Sequence, residues 1–593
     1  MHSHAKGPSG PRTLTDLFAE SVARYPDHAA ASDGQQSLTY SDLDQRSSDL
    51  ARQLRERGVG VEDRVGIYLD RSVDVFVAIL GTLKAGAAYV AVDMRYPDAR
   101  RDLMLTTSGV KLVLTRAESQ ISLECLDIET FAFRSAPLAC PVPAPMDGPE
   151  PENAATVLFT SGSSGAPKAL LLEHQNVVSF ACNPSLPALH PGDRTGQISS
   201  LSFDAFHFEM WTTLLSGAEV VVLPPVPELL AQDFQRALRR LQISSMLVPT
   251  MVVNHVVRED REAFAPLRIL MVGGDVLLPS ACHEVLTGQF HGELYNLYGP
   301  AESTTACTLQ RVTESEAALD SIPIGRPLEG VTVYLVKPDM ERAATGETGE
   351  IYVGGPGVAR GYIGMDDITS KCFITNPFAS TPARLYRTGD LARDRGDGTL
   401  EFVGRADRQA KIRGYRVEPG EVELALRRHS HVHEVAVLSA GEGNDLRLVA
   451  FVALEDSASI KELREYAQAQ LPDFMVPSDF IVLDEMPATE HGKRDMTVLL
   501  GLLASYEQRQ KNYVAPESET ECYLADLWGE LLQAEKLGTG DDFFALGGHS
   551  LLAFRVRARI KRDLGISVDY QTIAGHPVLL DLANAIDAIR KTQ

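Results

Sequence analysis

Apolar residues fall into two alternating rhythms between Leu14 and about Leu400. "LTDLFAESVARYP" spaces its large apolar residues three or four apart, which predicts an amphipathic helix. "DRVGIYL" and "AAYVAVD" are short apolar runs that predict strands, and between them "SVDVFVAILGTLKAG" has the length of a buried helix. "GAEVVVLP", "SSMLVP" and "LRILMVGG" predict further strands of the buried type. Such alternation predicts a large layered α/β core. The stretch "FVGRADRQAKIRGYRVEPGEVE" then turns basic and glycine-punctuated. Beyond it the helix "PGEVELALRRH", strands "EVAVLSA" and "RLVAFVAL", and helix "SIKELREYAQAQL" predict a small mobile α+β subdomain. "QRQKNYVAPESETE" is polar with a proline, as a linker would be, and only helical patterns follow about Glu517, enough for a four-helix bundle. The expected divisions are 14–405, 406–505, a linker at 506–516, and 517–593.

A chain of 593 residues is too long for one domain, which supports this division. The net charge of −24 argues against general nucleic-acid or anionic-membrane binding. No apolar run reaches the length of a membrane span. The N-terminal "MHSHAKGPSGPR" lacks an apolar core, so a disordered tail is expected there and no signal peptide. Seven cysteines without a CxxC pair fit a reducing, cytoplasmic setting and no zinc site.

The chemistry begins at "LFTSGSSGAPKALLLEH", Leu158 to His174. Gly162 and Gly165 free the backbone, Thr160, Ser161, Ser163 and Ser164 bring hydroxyls, and Lys168 brings a positive charge. That set suits a polyphosphate, or else a mobile surface loop. The spacing is not the Walker loop, and both flanks predict strands where a Walker loop would enter a helix. Further along come "YNLYGPAESTT", "YRTGD", "GRADRQAKIRGYRVEPGEVE", "ATEHGKRDM" and "DDFFALGGHSLL". Each is weak alone. Their order is specific.

In that order the motifs resemble the ANL adenylating superfamily, and within it the adenylation domains of nonribosomal peptide synthetases; acyl-CoA ligases and luciferases are cousins. The resemblance runs from about residue 14 to 505, and the tail from about 515 to 590 resembles a peptidyl carrier protein. It implies ATP, Mg²⁺ and 4′-phosphopantetheine as cofactors. It assigns the loop from Thr160 through Ser161, Gly162, Ser163, Ser164 and Gly165 to Lys168 to the β- and γ-phosphates, with Thr160 also near Mg²⁺. Ser163-Ser164 stand for the family's threonine pair, and Ala169 for its usual glycine. Asn296 and Tyr298 would contact adenine, Glu302 would bind Mg²⁺, and Asp390 would accept the ribose hydroxyls with Arg405 beside it. Outside this setting Tyr298 would read as a core aromatic and Asp390 as a turn cap. Lys493, in "GKRD", resembles the catalytic lysine that bridges the attacking carboxylate and the α-phosphate, where two anions must be brought together. Asp407 resembles the hinge about which the small subdomain would swing that lysine away and, near Gly414, admit a pantetheine thiol.

"SLSFDAFHFEMW" carries Asp204, which resembles the aspartate that pairs with the α-ammonium in amino-acid-activating members. Matching motifs give the remaining pocket as Ala205, Phe208, Met246, Met271, Gly273, Leu297, Thr305 and Ala306. Only Thr305 is polar, so an aliphatic side chain is expected: valine first, then isoleucine, leucine and 2-aminobutyrate. A difference of one methylene is worth only about 1–3 kcal/mol, so some promiscuity is expected.

In the tail, Leu552, Val556 and Ile560 mark one helix face, and Ser550 stands at its start. A serine there is a good N-cap, but its LGGHSL context resembles a phosphopantetheine attachment site. The resemblance thus implies an amino-acid-activating adenylation–carrier didomain of secondary metabolism. A phosphopantetheinyl transferase would load it, and a downstream synthetase or tailoring enzyme would act in trans, because no HHxxxDG or GxSxG motif is present. Two alternatives stand beside it: a free-standing acyl-CoA ligase, and a carrier or scaffold protein with an inactive adenylation domain.

Overall fold

The structure is a computed structural model that describes residues 12–116, 128–133, 148–160, 167–230, 234–380, 382–406, 410–412, 414–441, 446–454, 459–483, 485–487, 495–511, 513–532, 536–543, 546 and 550–592. The chain divides into two compact units: residues 1–421 with 469–474, and 422–468 with 475–593.

The first unit is built on two large sheets. Among the described residues, the seven-stranded one runs, edge to edge, Gly361–Tyr362, Lys168–Glu173, Ala154–Thr160, Ala88–Ala91, Arg64–Ile67, Leu112–Arg116, Glu129–Phe133. Arg64–Ile67 and Ala88–Ala91 pair in parallel, joined by the helix Val73–Lys84, as their flanking positions in the sequence predict. That helix is buried at Val73 and throughout Val75–Leu83, which explains why it is apolar on every side. Gly81 is needed there because a Cβ would meet the Leu50 side chain at 2.7 Å. The nine-stranded sheet places Glu293–Tyr298, Ile269–Gly273, Ser245–Pro249, Arg194–Gln197 and Glu219–Val222 side by side in parallel. A smaller antiparallel sheet contains Thr348–Gly354, Arg384–Asp394 and Leu400–Arg405. After it comes a short ribbon, Ala410–Ile412 against Tyr415–Val417, turning at Gly414 with φ +80°.

In the second unit, strands Val432–Ala440, Arg447–Leu454 and Asp479–Leu483 form one sheet. Leu499 and Leu503 of the helix Met496–Lys511 pack on Ala436, Leu438, Val449 and Phe451. The expected linker differs here from its sequence reading. The helix continues through Tyr506 to Lys511, since Tyr506-Glu-Gln-Arg-Gln-Lys511 contains no breaker and mostly good helix formers. Val514 then accepts a hydrogen bond from Thr539 N at 2.8 Å, so this stretch is docked and not free. Helices Glu519–Leu532, Ser550–Leu564, Tyr570–Gly575 and Leu579–Thr592 share one apolar cluster centred on Trp528, Phe543, Val556, Ile560 and Ile586. Val556 and Ile560 are buried and Leu552 packs against the cluster, as their four-residue spacing predicts. No helix among the described residues is long and apolar enough to cross a membrane.

Candidate active site

Thr160 and Lys168 face each other as the last and first residues of an antiparallel strand pair. The two strands expected to flank the loop are therefore present and paired, and no helix follows Lys168 directly. Thr160 is 8% and Lys168 3% exposed. The Thr160 hydroxyl has no hydrogen-bond partner among the described residues, a costly state for a buried polar atom unless a ligand completes it. Ser161, Gly162, Ser163, Ser164 and Gly165 lie outside the described residues.

Lys168 leads to the carboxylate. Its ammonium lies 5.0 Å from the Tyr362 ring centroid, and the Tyr362 hydroxyl donates to Glu302 Oε1 at 2.7 Å. Tyr362 is held by the edge strand Gly361–Tyr362 paired to Lys168–Glu173. Glu302 is wholly buried, in a 3₁₀ turn directly after the strand Glu293–Tyr298. Desolvation raises its pKa, but Arg416, Lys168 and the Tyr362 hydrogen bond outweigh it and hold the carboxyl below the ordinary glutamate value. The turn is strained. Thr304 and Thr305 take φ of +61° and +69°, left-handed values that side chains resist. Their hydroxyls hold the conformation: Thr304 Oγ1 donates to the Gly357 carbonyl at 2.7 Å, and Thr305 Oγ1 to the Asp204 carbonyl at 2.8 Å.

Asn296 and Tyr298 alternate with Tyr295 and Leu297 along the same strand, so the two pairs face opposite sides of the sheet. Asn296 Nδ2 donates to the Pro323 carbonyl at 2.8 Å. The Tyr298 hydroxyl donates to Asp390 Oδ2 at 2.6 Å, and Arg405 forms an ion pair with Asp390 Oδ1. A carboxylate accepts about four hydrogen bonds, so Asp390 retains capacity for a diol.

The opposite face carries most of the residues expected to line the substrate pocket. Phe208, Met271, Leu297 and Ala306 share one buried cluster, with Ala205 packed against it. Strand register puts Gly273 in line with Leu297, and Thr305 sits beside Asp204 through the bond just described. Met246 is the exception and a correction to the sequence reading. It pairs with Leu270 and lies in the cluster on the other face, against Gly196. Leu247, paired with Met271, lies in the cluster of Phe208, Met271 and Leu297. Strand side chains alternate with period two, so a one-residue offset moves the residue to the other face. Asp204 is half-buried. Desolvation, aided by Glu302, pushes its carboxyl up to about 7, and among the described residues it has no ion-pair partner. The loop bearing it leads into a short π-helical turn, Phe208–Thr212, anchored by buried Glu209, which accepts from Ile198 N and Ser199 N at 3.0 Å each.

Three comparisons bear on this arrangement. Residues 18–363 match the AMP-binding enzyme family. The chain belongs to that family. Residues 421–493 match the AMP-binding enzyme C-terminal domain, and 522–586 a phosphopantetheine attachment site, so this AMP-binding enzyme is an adenylation–carrier fusion. It is 36% identical over 581 residues to gramicidin S synthase 2 of Brevibacillus brevis, covering 97% of this chain and 13% of that protein. It is 36% identical over 580 residues to tyrocidine synthase 3 of Brevibacillus parabrevis, covering 97% and 9%. The AMP-binding enzyme thus spans a small part of the curated relatives it matches. A solved holo NRPS protein containing adenylation and PCP domains, bound to a vinylsulfonamide inhibitor, superposes with a TM-score of 0.74 at 28% identity, covering 97% of this chain and 96% of that one.

The cofactors of this domain pair are ATP with Mg²⁺, and 4′-phosphopantetheine. The nucleotide side fits. Thr160 offers an unpartnered hydroxyl, Lys168 a buried cation and Glu302 an ionised carboxylate. Among the described residues no three His, Cys, Asp or Glu side chains converge on a metal site. One carboxylate is enough for Mg²⁺, which keeps its waters and takes phosphate oxygens for the rest. Ser550 is the first residue of the helix Ser550–Leu564; its side chain lies outside the described residues, as do Asp407 and Lys493. The sequence did not single out Tyr362, Leu247 or Glu209. Only period-two alternation in "SSMLVP" could have flagged Leu247.

Proposed function

We propose that this enzyme activates a neutral aliphatic amino acid as its aminoacyl-adenylate and transfers it to a phosphopantetheine thiol on its own carrier domain. The observation that carries this is Asp204, a carboxylate without an ion-pair partner among the described residues, at the edge of an otherwise apolar pocket. A substrate ammonium there gains a partner, and an acid without an ammonium would leave the carboxylate desolvated and alone. The Thr305 hydroxyl donates to the Asp204 carbonyl and meets His207 Nδ1 at 3.2 Å, so a substrate side chain meets mainly the apolar cluster. Valine remains first, followed by isoleucine, leucine and 2-aminobutyrate, with Leu247 in place of Met246.

In this reading Ser161, Gly162, Ser163, Ser164, Gly165 and Lys168 cradle the β- and γ-phosphates, and Thr160 and Glu302 hold Mg²⁺. Tyr298 and Asn296 flank adenine, and Asp390 with Arg405 takes the ribose. Lys493 stabilises the α-phosphate, Asp407 is the hinge, and Ser550 on a four-helix-bundle carrier bears the arm. The divisions at 14–405, 406–505, 506–516 and 517–593 belong to the same proposal, amended by the helix that reaches Lys511. So do a cytoplasmic setting, a phosphopantetheinyl transferase and a downstream enzyme in trans.

Pyrophosphate exchange with valine, isoleucine, leucine, aspartate, lysine and phenylalanine tests the substrate class. The aliphatic three are expected to dominate, and a preference for a charged or large aromatic substrate would refute the pocket. Asp204 adds a pH signature. Only its ionised form pairs with an ammonium, so the amino-acid KM should rise as pH falls through about 7, approaching tenfold per unit well below it. A carboxyl whose folded pKa lies above its unfolded value destabilises the fold increasingly as pH rises from the unfolded value to the folded one, and by a constant amount above it. Asp204→Asn should therefore raise the Tm of the free enzyme most at pH 8, clearly less at pH 5, and hardly at all near pH 4. An equal shift at all three pH values would mean that the carboxyl is not desolvated.

A further inference from the structure

His207 is a polar side chain that neither the nucleotide site nor the pocket has yet used. It stands between Asp204 and pocket residue Phe208, just before the π-helical turn, and is 1% exposed. Its Nδ1 lies 3.2 Å from Thr305 Oγ1. Thr305 Oγ1 in turn donates to the Asp204 carbonyl at 2.8 Å, and His207 N donates to the same carbonyl at 2.9 Å. A carbonyl oxygen has two lone pairs, so that of Asp204 is filled. The three residues thus close a clasp between the loop that bears Asp204 and the turn that bears Glu302.

The clasp fixes where each hydrogen lies. Thr305 has one hydroxyl hydrogen. Given to His207, it would leave two oxygens 2.8 Å apart with no hydrogen between them. It therefore goes to the carbonyl, and Thr305 can only accept from His207. Burial keeps the imidazole neutral, pushing its pKa down to about 3. The ring is then the Nδ1–H tautomer, and Nε2 is an acceptor with no partner among the described residues. An empty buried acceptor is costly, and a leucine would fill the space without that cost. What the other nitrogen does must explain the ring. Thr305 gains from it directly, since its backbone sits at φ +69° and its hydroxyl is held by one bond given and one received.

We propose that His207 is a positioning residue: through Thr305 it fixes the backbone of Asp204, and so sets where the substrate ammonium is held relative to the Glu302 turn. The proposal rests on the reading that Asp204 pairs with that ammonium. Without the imidazole, the Thr305 hydroxyl is free to turn from the carbonyl, and the Asp204 loop loses one of its two ties.

The test is pyrophosphate exchange by the full chain with valine, isoleucine or leucine, whichever exchanges fastest, reading the amino-acid and ATP KM separately. His207→Leu should raise the amino-acid KM about 5–30-fold, the effect of one buried hydrogen bond, and leave the ATP KM unchanged. His207→Asn places an amide donor where Nδ1 stands and should return the KM close to wild type. His207→Gln places its donor where Nε2 stands and should behave like His207→Leu; it also covers the case in which the leucine variant does not fold. An asparagine variant no better than the glutamine one overturns the proposal, as does an ATP KM that rises in step with the amino-acid KM. ¹⁵N-histidine spectra read the clasp without turnover: the signal absent from His207→Asn should be that of an Nδ1–H tautomer, and an Nε2–H tautomer would overturn the proposal. Asp204→Ala separates the two readings. If it leaves the amino-acid KM unchanged, the ammonium assignment falls and takes the proposal with it. If it raises that KM while His207→Leu does not, the role of His207 alone falls.

Discussion

Replacing Ser550 by alanine is expected to abolish loading of the protein while leaving pyrophosphate exchange nearly intact. Ser550 opens the fifteen-residue helix Ser550–Leu564, whose Val556 and Ile560 anchor it in the carrier core. The unsatisfied amides of a first helical turn favour a phosphodiester there. With coenzyme A and a phosphopantetheinyl transferase, the wild-type chain should gain one phosphopantetheine by intact mass. ATP and the amino acid should then add one aminoacyl group as a thioester. The variant should show neither addition. Exchange should survive, because Ser550 is not among the residues proposed for adenylation, which are those gathered around Glu302, Asp390 and Asp204 together with Lys493. A variant that still accepts the arm would place the attachment elsewhere. A wild-type chain that never accepts it, yet passes its acyl group to free coenzyme A, would favour the acyl-CoA ligase.

Lys493→Ala should depress adenylate formation by about 10²–10³-fold, the usual loss when one electrostatic stabiliser of a transition state is removed. The carboxylate and the α-phosphate are both anionic, and Lys168 is already placed beside Tyr362 and Glu302. A further cation is therefore needed where the new bond forms. Thioester formation from a supplied aminoacyl-adenylate should fall far less, because Lys493 is not required once the bond to phosphate exists. Single-turnover measurement of the two half-reactions separates these outcomes. Equal losses in both would count against a lysine that serves only the first. Intact activity in both would move the assignment away from the "GKRD" turn.

The sequence by itself determined the order of motifs, the element types and the chemistry each motif brings. Strands such as Ser245–Pro249 and helices such as Val73–Lys84 were legible because burial leaves a period in the residue pattern that needs no partner to be seen. The strands that carry Thr160 and Lys168 were legible for the same reason. The tertiary structure alone decided which cluster each side of a strand faces. Met246 and Leu247 are both apolar and adjacent, and only pairing with Leu270 or Met271 separates them. It also decided what surrounds Glu302. Tyr362 and Arg416 lie 60 and 114 residues away along the chain, and no local pattern marks either as its partner. Even the helix that runs on to Lys511 belongs here, since a polar stretch reads as linker until Leu499 and Leu503, upstream in the same helix, are seen docked on a sheet. Periodicity reports whether a residue is buried. What it is buried against is set by contacts between distant segments, and those the folded chain alone supplies.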